Sequence, residues 1–490
     1  MTSVAAPDIR LESSFARDLE GLYVAWQAAQ FPSPSLLALN DDLARELKLD
    51  PEWLRSPAGV RFLLGAELPE GAVPIAQGYA GHQFGGYSPR LGDGRALLLG
   101  ELTDVRGTLR DLHLKGSGST PFSRGGDGKA AVGPMLREYV IGEAMHALGV
   151  PTTRALAVLG TGEQIYREEG ALPGAVLVRI AASHLRVGSF QYASALTVAK
   201  RDETVLRRLA DYAIARHHPQ AAEAEQPYVA LLDAVTTRQA ELVARWMCLG
   251  FVHGVMNTDN VTISGETIDY GPCAFLDAFD PATVFSSIDS GGRYAYANQP
   301  SITLWNLSRF AEALLPLLGG DTDEAVDLVV PVLDEFADRF AHAWRAGVLA
   351  KLGLTESDPD ADGQLVQDLL ELMAAEQVDW TSFWRSLSSA ARGNPAPARD
   401  AFLARDAFDA WAERWLARQP DADAMDRVNP IYIPRNHKVE EALAAATRGD
   451  LGPVTRLVEV VRDPFTEQPG AEEYAVPDPN GGKYVTFCGT

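Results

Sequence analysis

The segment HGVMNTDNVTISGETIDYG, His253 to Gly271, decides how the rest of the chain is read. It follows a long apolar helical pattern, Tyr228 to Gly250 (YVALLDAVTTRQAELVARWMCLG), so a rigid element delivers it. Within it His253 and Asn260 stand seven positions apart. Asp269-Tyr270-Gly271 follows two short strand-like pieces, VTIS and TIDY, set on either side of a turn. The Asn260 amide oxygen and the Asp269 carboxylate are hard donors of the kind that suits Mg²⁺ or Mn²⁺. Asp259, beside Asn260, is the carboxylate of this loop left to act as a base.

The same order of residues occurs in protein kinases, where H-x-D-x-x-x-x-N is followed by a hairpin and D-F-G. One element departs from it: Val255 stands where the catalytic Asp would be. Upstream, Lys115 closes a strand-like LHLK, and Glu138 lies in a helical pattern from Pro134 to Leu148. A strand lysine held by a helix glutamate is how kinases position an ammonium against phosphates. Between the two, GSGSTPFSRGGDGKAA carries Gly116, Gly118, Gly125, Gly126 and Gly128 with Arg124 and Asp127, the composition of an anion-binding nest. It is not a Walker A loop, because Ser123 and Ala130 occupy positions that motif reserves for Gly and Ser/Thr. A plain surface loop fits the same composition. Gly92-Asp93-Gly94-Arg95 reads either as a tight hairpin turn or as a backbone approach to phosphate. Arg179 and Arg186, in VLVRIAASHLRVG, read as salt-bridged surface residues or as a phosphate clamp.

Outward from these motifs the texture changes twice. Short apolar runs and Gly-rich turns from Ala72 to Gly118, then ALAVLG and AVLVRIA, predict a β-rich lobe. From Thr204 the pattern is mostly helical. The expected fold is therefore α+β, a two-lobed kinase-like (pseudokinase) architecture. Its expected parts are an N-terminal extension (1–75), a β-rich lobe with the Lys/Glu helix (76–190), a helical core with the catalytic loop (191–300) and helical C-terminal additions (301–490). Two polar clusters are set aside. Asp358-Pro-Asp360-Ala-Asp362-Gly363 starts like a calcium loop but has Leu369 where the bidentate Glu belongs, which predicts a helix-linking loop. His217-His218 before Pro219 predicts a surface helix end, and Cys248 in WMCLGF a buried core position.

The chain has 490 residues with 66 Asp+Glu against 43 Lys+Arg, a formal net charge of −23. Such a field repels a phosphate backbone, which excludes sequence-independent nucleic-acid binding and makes any anion affinity local. With 46% hydrophobic and 22% charged residues the balance is that of a globular chain. Its 3 Cys, with no CxxC pair, cannot build a thiolate zinc site or a disulfide framework. The start, MTSVAAPDIRLESSFARDLEGLYVAW, has no charged region leading into an apolar core. No stretch approaches the ~18 apolar residues of a membrane span. A soluble cytoplasmic protein, without nucleic-acid or membrane partners, is expected.

On the blocks YAGHQFGGYSPRLGDGRALLLGE, LHLKGSGSTPFSRGGDG, FVHGVMNTDN, DYGPCAFLD, GRYAYANQP and the terminal TFCGT, the chain resembles the selenoprotein O family along nearly its whole length. These are protein adenylyltransferases with a pseudokinase fold. The resemblance implies that ATP binds in a flipped orientation and that AMP passes from it to Ser, Thr or Tyr hydroxyls of protein substrates. It implies ATP contacts from Gly92, Gly94, Arg95, Lys115, Asp127, Gly128, Arg179 and Arg186, a metal (Mg²⁺ or Mn²⁺) on Asn260 and Asp269, Asp259 as proton acceptor, and Glu138 holding Lys115. It also implies a reversible disulfide between Cys273 and Cys488 that pins the tail over the segment after Asp-Tyr-Gly. UMP transfer from UTP with Mn²⁺, a γ-phosphate kinase and a non-catalytic nucleotide-binding scaffold remain the alternatives.

Overall fold

The alternation in Leu109–Lys115 sets one face of a sheet against the other: Leu112 and Leu114 are fully buried among Leu97, Leu99, Val176 and Val178, while Asp111, His113 and Lys115 share the opposite face. The protein is described by a computed structural model covering residues 9–168, 170–479, 481 and 484–487. Among them the first lobe contains α1 (Ser14–Asp18), β1 (Tyr23–Ala25), β2 (Ser35–Leu39), α2 (Asp41–Glu46), α3 (Pro51–Leu54), α4 (Pro57–Leu63) and β3 (Ile75–Gln77). A small hairpin of β4 (Gly81–Gln83) and β5 (Gly86–Ser88) follows. Then come β6 (Ala96–Thr103), β7 (Leu109–Lys115), β8 (Ala130–Ala131), α5 (Val132–Ala147), β9 (Arg154–Arg167) and β10 (Gly170–Ala181).

The sheet is antiparallel throughout, in the order β1-β3-β6-β7-β10-β9-β2, with β8 paired to β10. Strands from the first 75 residues therefore form both edges, and they are short, 3 and 5 residues, which limits the backbone left unpaired. The register sets Arg179 opposite His113 and Leu177 opposite Lys115, so Arg179 and Lys115 are diagonal neighbours on one face.

The second lobe is helical: α6 (Val187–Lys200), α7 (Thr204–His217), α8 (Pro227–Leu249), α9 (Gln299–Leu314), α10 (Thr322–Asp334), α11 (Phe336–Lys351), α12 (Pro359–Glu376) and α13 (Trp380–Ala391). Gly250, at φ +70, ends α8 in the left-handed conformation and turns the chain into the catalytic loop. The two lobes, the Lys/Glu helix and the loop order together make this a protein-kinase-like fold. Two further helices, Asn436–Thr447 and Gly452–Val461, return to the first lobe. Their Val439, Leu443, Val454 and Leu457 share a core with Met135, Leu136 and Tyr139 of α5.

Three local expectations change. VTIS and TIDY do not pair with each other as a hairpin: Thr262 bridges Arg186 and Thr267 bridges Thr152, so the turn is spliced onto the first lobe. The Thr262 hydroxyl donates to the Glu266 carbonyl and closes the turn itself. His217-His218 does end α7, but inside the protein: His217 Nε2 lies 2.7 Å from Ser183 Oγ and His218 Nε2 lies 3.3 Å from the Ile263 carbonyl. Burial pushes the His217 imidazole down to about 3. Asp358 caps the start of α12, accepting from the Asp360 and Ala361 amides, and Asp362 pairs with Arg418 at 2.7 Å. Among the described residues no helix is long and apolar enough to cross a membrane.

Candidate active site

Helix α5 is buried on nearly every side, so its two inward carboxylates must find cations. Glu138 takes Lys115 Nζ on one oxygen and Arg179 Nη2 on the other, the latter at 2.6 Å. Asp269 joins the same group: its Oδ1 accepts from Lys115 at 2.5 Å and from Arg179 at 2.7 Å, and its Oδ2 lies 3.7 Å from Arg186. Three cations and two carboxylates thus meet where the sheet faces the catalytic loop, with a net positive charge. Burial alone would raise both carboxyls. Lys115, Arg179 and Arg186 outweigh it and hold Asp269 well below the usual range, and Arg179 and Lys115 do the same for Glu138. Asp269 is also held at φ +64, a conformation that costs free energy and is kept by these contacts.

The catalytic loop supplies the opposite wall. His253 is a structural residue, fully buried, with Nε2 2.8 Å from the Ile268 carbonyl and its ring against Trp246. Val255 contributes its side chain to the core and its carbonyl to Asn260, whose Nδ2 donates to it at 2.9 Å. That bond orients the amide and leaves the Asn260 Oδ1 for a ligand. Asp259 is buried beneath the β4–β5 hairpin. Gln83 Nε2 reaches its Oδ2 at 3.4 Å, its Oδ1 has no partner among the described residues, and a Cβ on Gly81 would fall 2.8 Å from that atom. Burial raises the Asp259 carboxyl to about 6, against the pull of Arg186. Arg186 also donates to the Asp259 carbonyl at 2.9 Å and stacks over Tyr79 at 4.5 Å.

Gly94, Arg95, Lys115, Glu138, Arg179, Arg186, Asp259, Asn260 and Asp269 thereby line one cleft of about 520 Å³. Three expected nucleotide contacts stand outside its lining. Gly92, at φ +71, lets the Phe122 ring pack where a Cβ would lie 2.3 Å from it. Gly128, at φ +69, allows its backbone to cross that of Gly118. Asp127 holds Arg167 at 2.9 Å and accepts the Lys129 amide, so it shapes the loop. Cys273 is buried just after Asp-Tyr-Gly, its thiol pushed up to about 12 by burial. Its expected partner Cys488 lies outside the described residues.

Several lining residues carried no weight in the sequence reading. Asp93 and His113 pair at 3.3 Å at the inner end of the cleft, and Tyr79 and Gln83 come from the segment before them. The alternation Asp111, His113, Lys115 was the available signal for His113. Tyr79 and Gln83 lie in the YAGHQ block that carries the resemblance, but only contacts distant in the chain bring them to the cleft. For a divalent cation, the fit is that of an oxygen-only site completed by substrate. Asn260 and Asp269 offer hard donors, and among the described residues no three His, Cys, Asp or Glu side chains converge as a cage.

The family model described as "Protein adenylyltransferase SelO" matches residues 7–462. Curated relatives named "Protein nucleotidyltransferase YdiU" are 63% identical over 488 residues in Mycolicibacterium paratuberculosis, covering 98% of each chain. In Mycolicibacterium smegmatis the figure is 61% over 492 residues, and in Pseudarthrobacter chlorophenolicus 60% over 496, each covering 100% of both chains. Among solved structures, ROP2 from Toxoplasma gondii, titled a virulence factor with a protein-kinase fold and no enzymatic activity, aligns with 61% of this chain and 87% of its own. It is 12% identical at a TM-score of 0.26, too slight a likeness to bear on the argument. The sequence matches run almost from end to end, and they show that the chain belongs to the SelO family, whose curated members here are protein nucleotidyltransferases.

Proposed function

We propose that this enzyme transfers AMP from ATP to a Ser, Thr or Tyr hydroxyl of a protein. The acceptor oxygen attacks the α-phosphorus, the bond from that phosphorus to the bridging oxygen breaks, and pyrophosphate leaves. The acceptor proton goes to Asp259. The observation that carries this reading is the pairing of a buried carboxylate with a cationic cluster in one cleft, while the usual kinase base position holds Val255. Lys115, Arg179 and Arg186 offset the charge of the triphosphate and its leaving group. Gly94, Arg95 and Arg124 line the cleft beside these cations, on loops whose backbone is shaped by Gly92, Asp127 and Gly128. Asn260 and Asp269 would hold Mg²⁺ or Mn²⁺, which when bound supplies further neutralisation of phosphate charge. The tail reading is supported by Thr486, two residues before Cys488, whose hydroxyl donates to the Pro272 carbonyl at 2.7 Å next to Cys273. A cytoplasmic setting accords with 3 Cys in 490 residues.

Incubation with ATP labelled at the α- or the γ-phosphate, and with α-labelled UTP in parallel, tests the reaction. Protein-bound label from α-ATP alone is expected. Label from γ-ATP would make the enzyme a kinase, and none from any donor would make it a scaffold. An Asp269→Ala variant is expected to lose transfer by about 100-fold or more. Full activity in that variant would overturn the role given to Asp269.

A further inference from the structure

The β4–β5 hairpin does more than cover Asp259. Its backbone is fastened to the catalytic loop along the first strand and into the turn: the His82 amide donates to Thr258 Oγ1 at 2.7 Å and the Phe84 amide to Asn257 Oδ1 at 3.0 Å. Its tip is turned outward. Phe84, at φ +50, and Tyr87 are 37% and 47% exposed, and Ile288 on the facing segment is 52% exposed. Phe84 and Ile288 both line the cleft mouth.

Beside the tip lies a cationic and aromatic platform from the segment after Asp-Tyr-Gly and from α9. A Cβ on Gly85 would sit 3.9 Å from the Arg293 guanidinium carbon. Arg293 meets rings rather than a carboxylate among the described residues, at 4.7 Å over Trp305 and 5.8 Å over Tyr294, and its buried Nε–H has no acceptor. Arg309 also lies over Trp305, at 5.3 Å, and is paired with Glu312 at 2.5 Å, so Arg293 supplies the platform's charge; His82 packs against both Trp305 and Tyr87. A guanidinium stacked on aromatic rings keeps its charge and its donor fork free for a planar anion.

We propose that this platform binds the acceptor segment of the protein substrate and that it selects segments bearing a carboxylate beside the target hydroxyl. The inference rests on the nucleotidyl-transfer reading, in which that hydroxyl meets Asp259. The hairpin joins the two places: Gln83 touches Asp259, and the tip that meets Arg293 begins one residue later. Neighbouring residues of an extended peptide rise ~3.4 Å each, so a side chain next to the hydroxyl reaches the tip and Arg293. Phe84, Tyr87 and Ile288 offer apolar contact around it. In a chain of formal charge −23, a cation that pairs with no carboxylate among the described residues, set beside the cleft mouth, is a local exception that matches an acidic partner.

The test uses paired peptides with one Ser, Thr or Tyr flanked by Glu or by Lys, against the full-length enzyme and its Arg293→Glu and Arg293→Lys variants. Three quantities are measured: kcat/KM for nucleotidyl transfer, binding of fluorescent peptides by anisotropy, and affinity for a non-hydrolysable ATP analogue. Wild type is expected to favour the Glu-flanked peptide about tenfold in both transfer and binding. Arg293→Glu should reverse the preference, Arg293→Lys should keep most of it, and analogue affinity should stay unchanged in all three. A wild type blind to the flanking charge, or an Arg293→Glu variant with unaltered preference, would overturn the proposal. Glu-flanked peptides that bind through Arg293 yet receive no nucleotide would support the platform and defeat the transfer reading. Loss of analogue affinity in both variants would assign Arg293 to the fold and overturn its role in docking.

Discussion

Val255 shows how much one side chain decides. Packed in the core at the wall of the cleft, its side chain has no proton-accepting group, and its backbone carbonyl orients Asn260. In the reaction proposed above the proton acceptor is instead Asp259, which lies under the β4–β5 hairpin. A Val255→Asp variant is therefore expected to lose stability by roughly 2–4 kcal/mol, from a polar group forced among apolar neighbours. It should gain no γ-phosphate transfer. Urea unfolding and the γ-label assay check both. Lys115, Glu138, Asn260 and Asp269 each stood out in the sequence by order and spacing, and the structure brings all four to one cleft. Their contact pattern was not legible there: Asp269 is shared by three cations, and Arg179 bridges it to Glu138. No spacing rule reports a contact between residues 90 positions apart.

At the scale of elements, the turn from Val261 to Asp269 departs most from its sequence pattern. Its alternation suggested a self-paired hairpin. Bridges to Arg186 and Thr152 won instead, since they bury Glu266 against the first lobe. There Glu266 accepts the Ala182 amide at 2.7 Å and lies 3.5 Å from Arg110. Burial raises its carboxyl from the ordinary 4.5 to about 7. A carboxyl raised in the folded state keeps its proton while the unfolded chain ionises. Stability is thus unaffected below about pH 4.5, falls between about 4.5 and 7, and is level above. The loss is on the order of 3 kcal/mol. Glu266→Gln should remove that slope, read as the difference in urea midpoint between variant and wild type from pH 5 to 8. A difference that stays constant across this range would show that Glu266 is not buried as described. The Lys/Glu helix and the long α8 were found within a few residues, because their apolar periods are long.

In the whole molecule, the helices near the C-terminus act as a brace for the site. Asn436–Thr447 and Gly452–Val461 cover the outer face of α5, the helix that holds Glu138, and Arg462 reaches Glu143 at 3.1 Å. A Leu457→Ala change leaves a cavity in that shared core and is expected to cost about 2–4 kcal/mol. It should also speed amide hydrogen exchange in α5, although Leu457 is far from the cleft in sequence. Unchanged exchange there would show that the brace does not support the helix. The sequence by itself determined the two lobes, the order of the chemical groups and the net acidic charge. Periodicity reports which face of an element is buried, and motif spacing reports local chemistry. Only the tertiary structure decided that Asp259 lies under Gln83, that His217 and His218 are interior, and that Arg293 meets the hairpin tip. Those contacts join segments far apart in the chain, and they form because burial of apolar surface brings the elements together and obliges the polar groups between them to find partners.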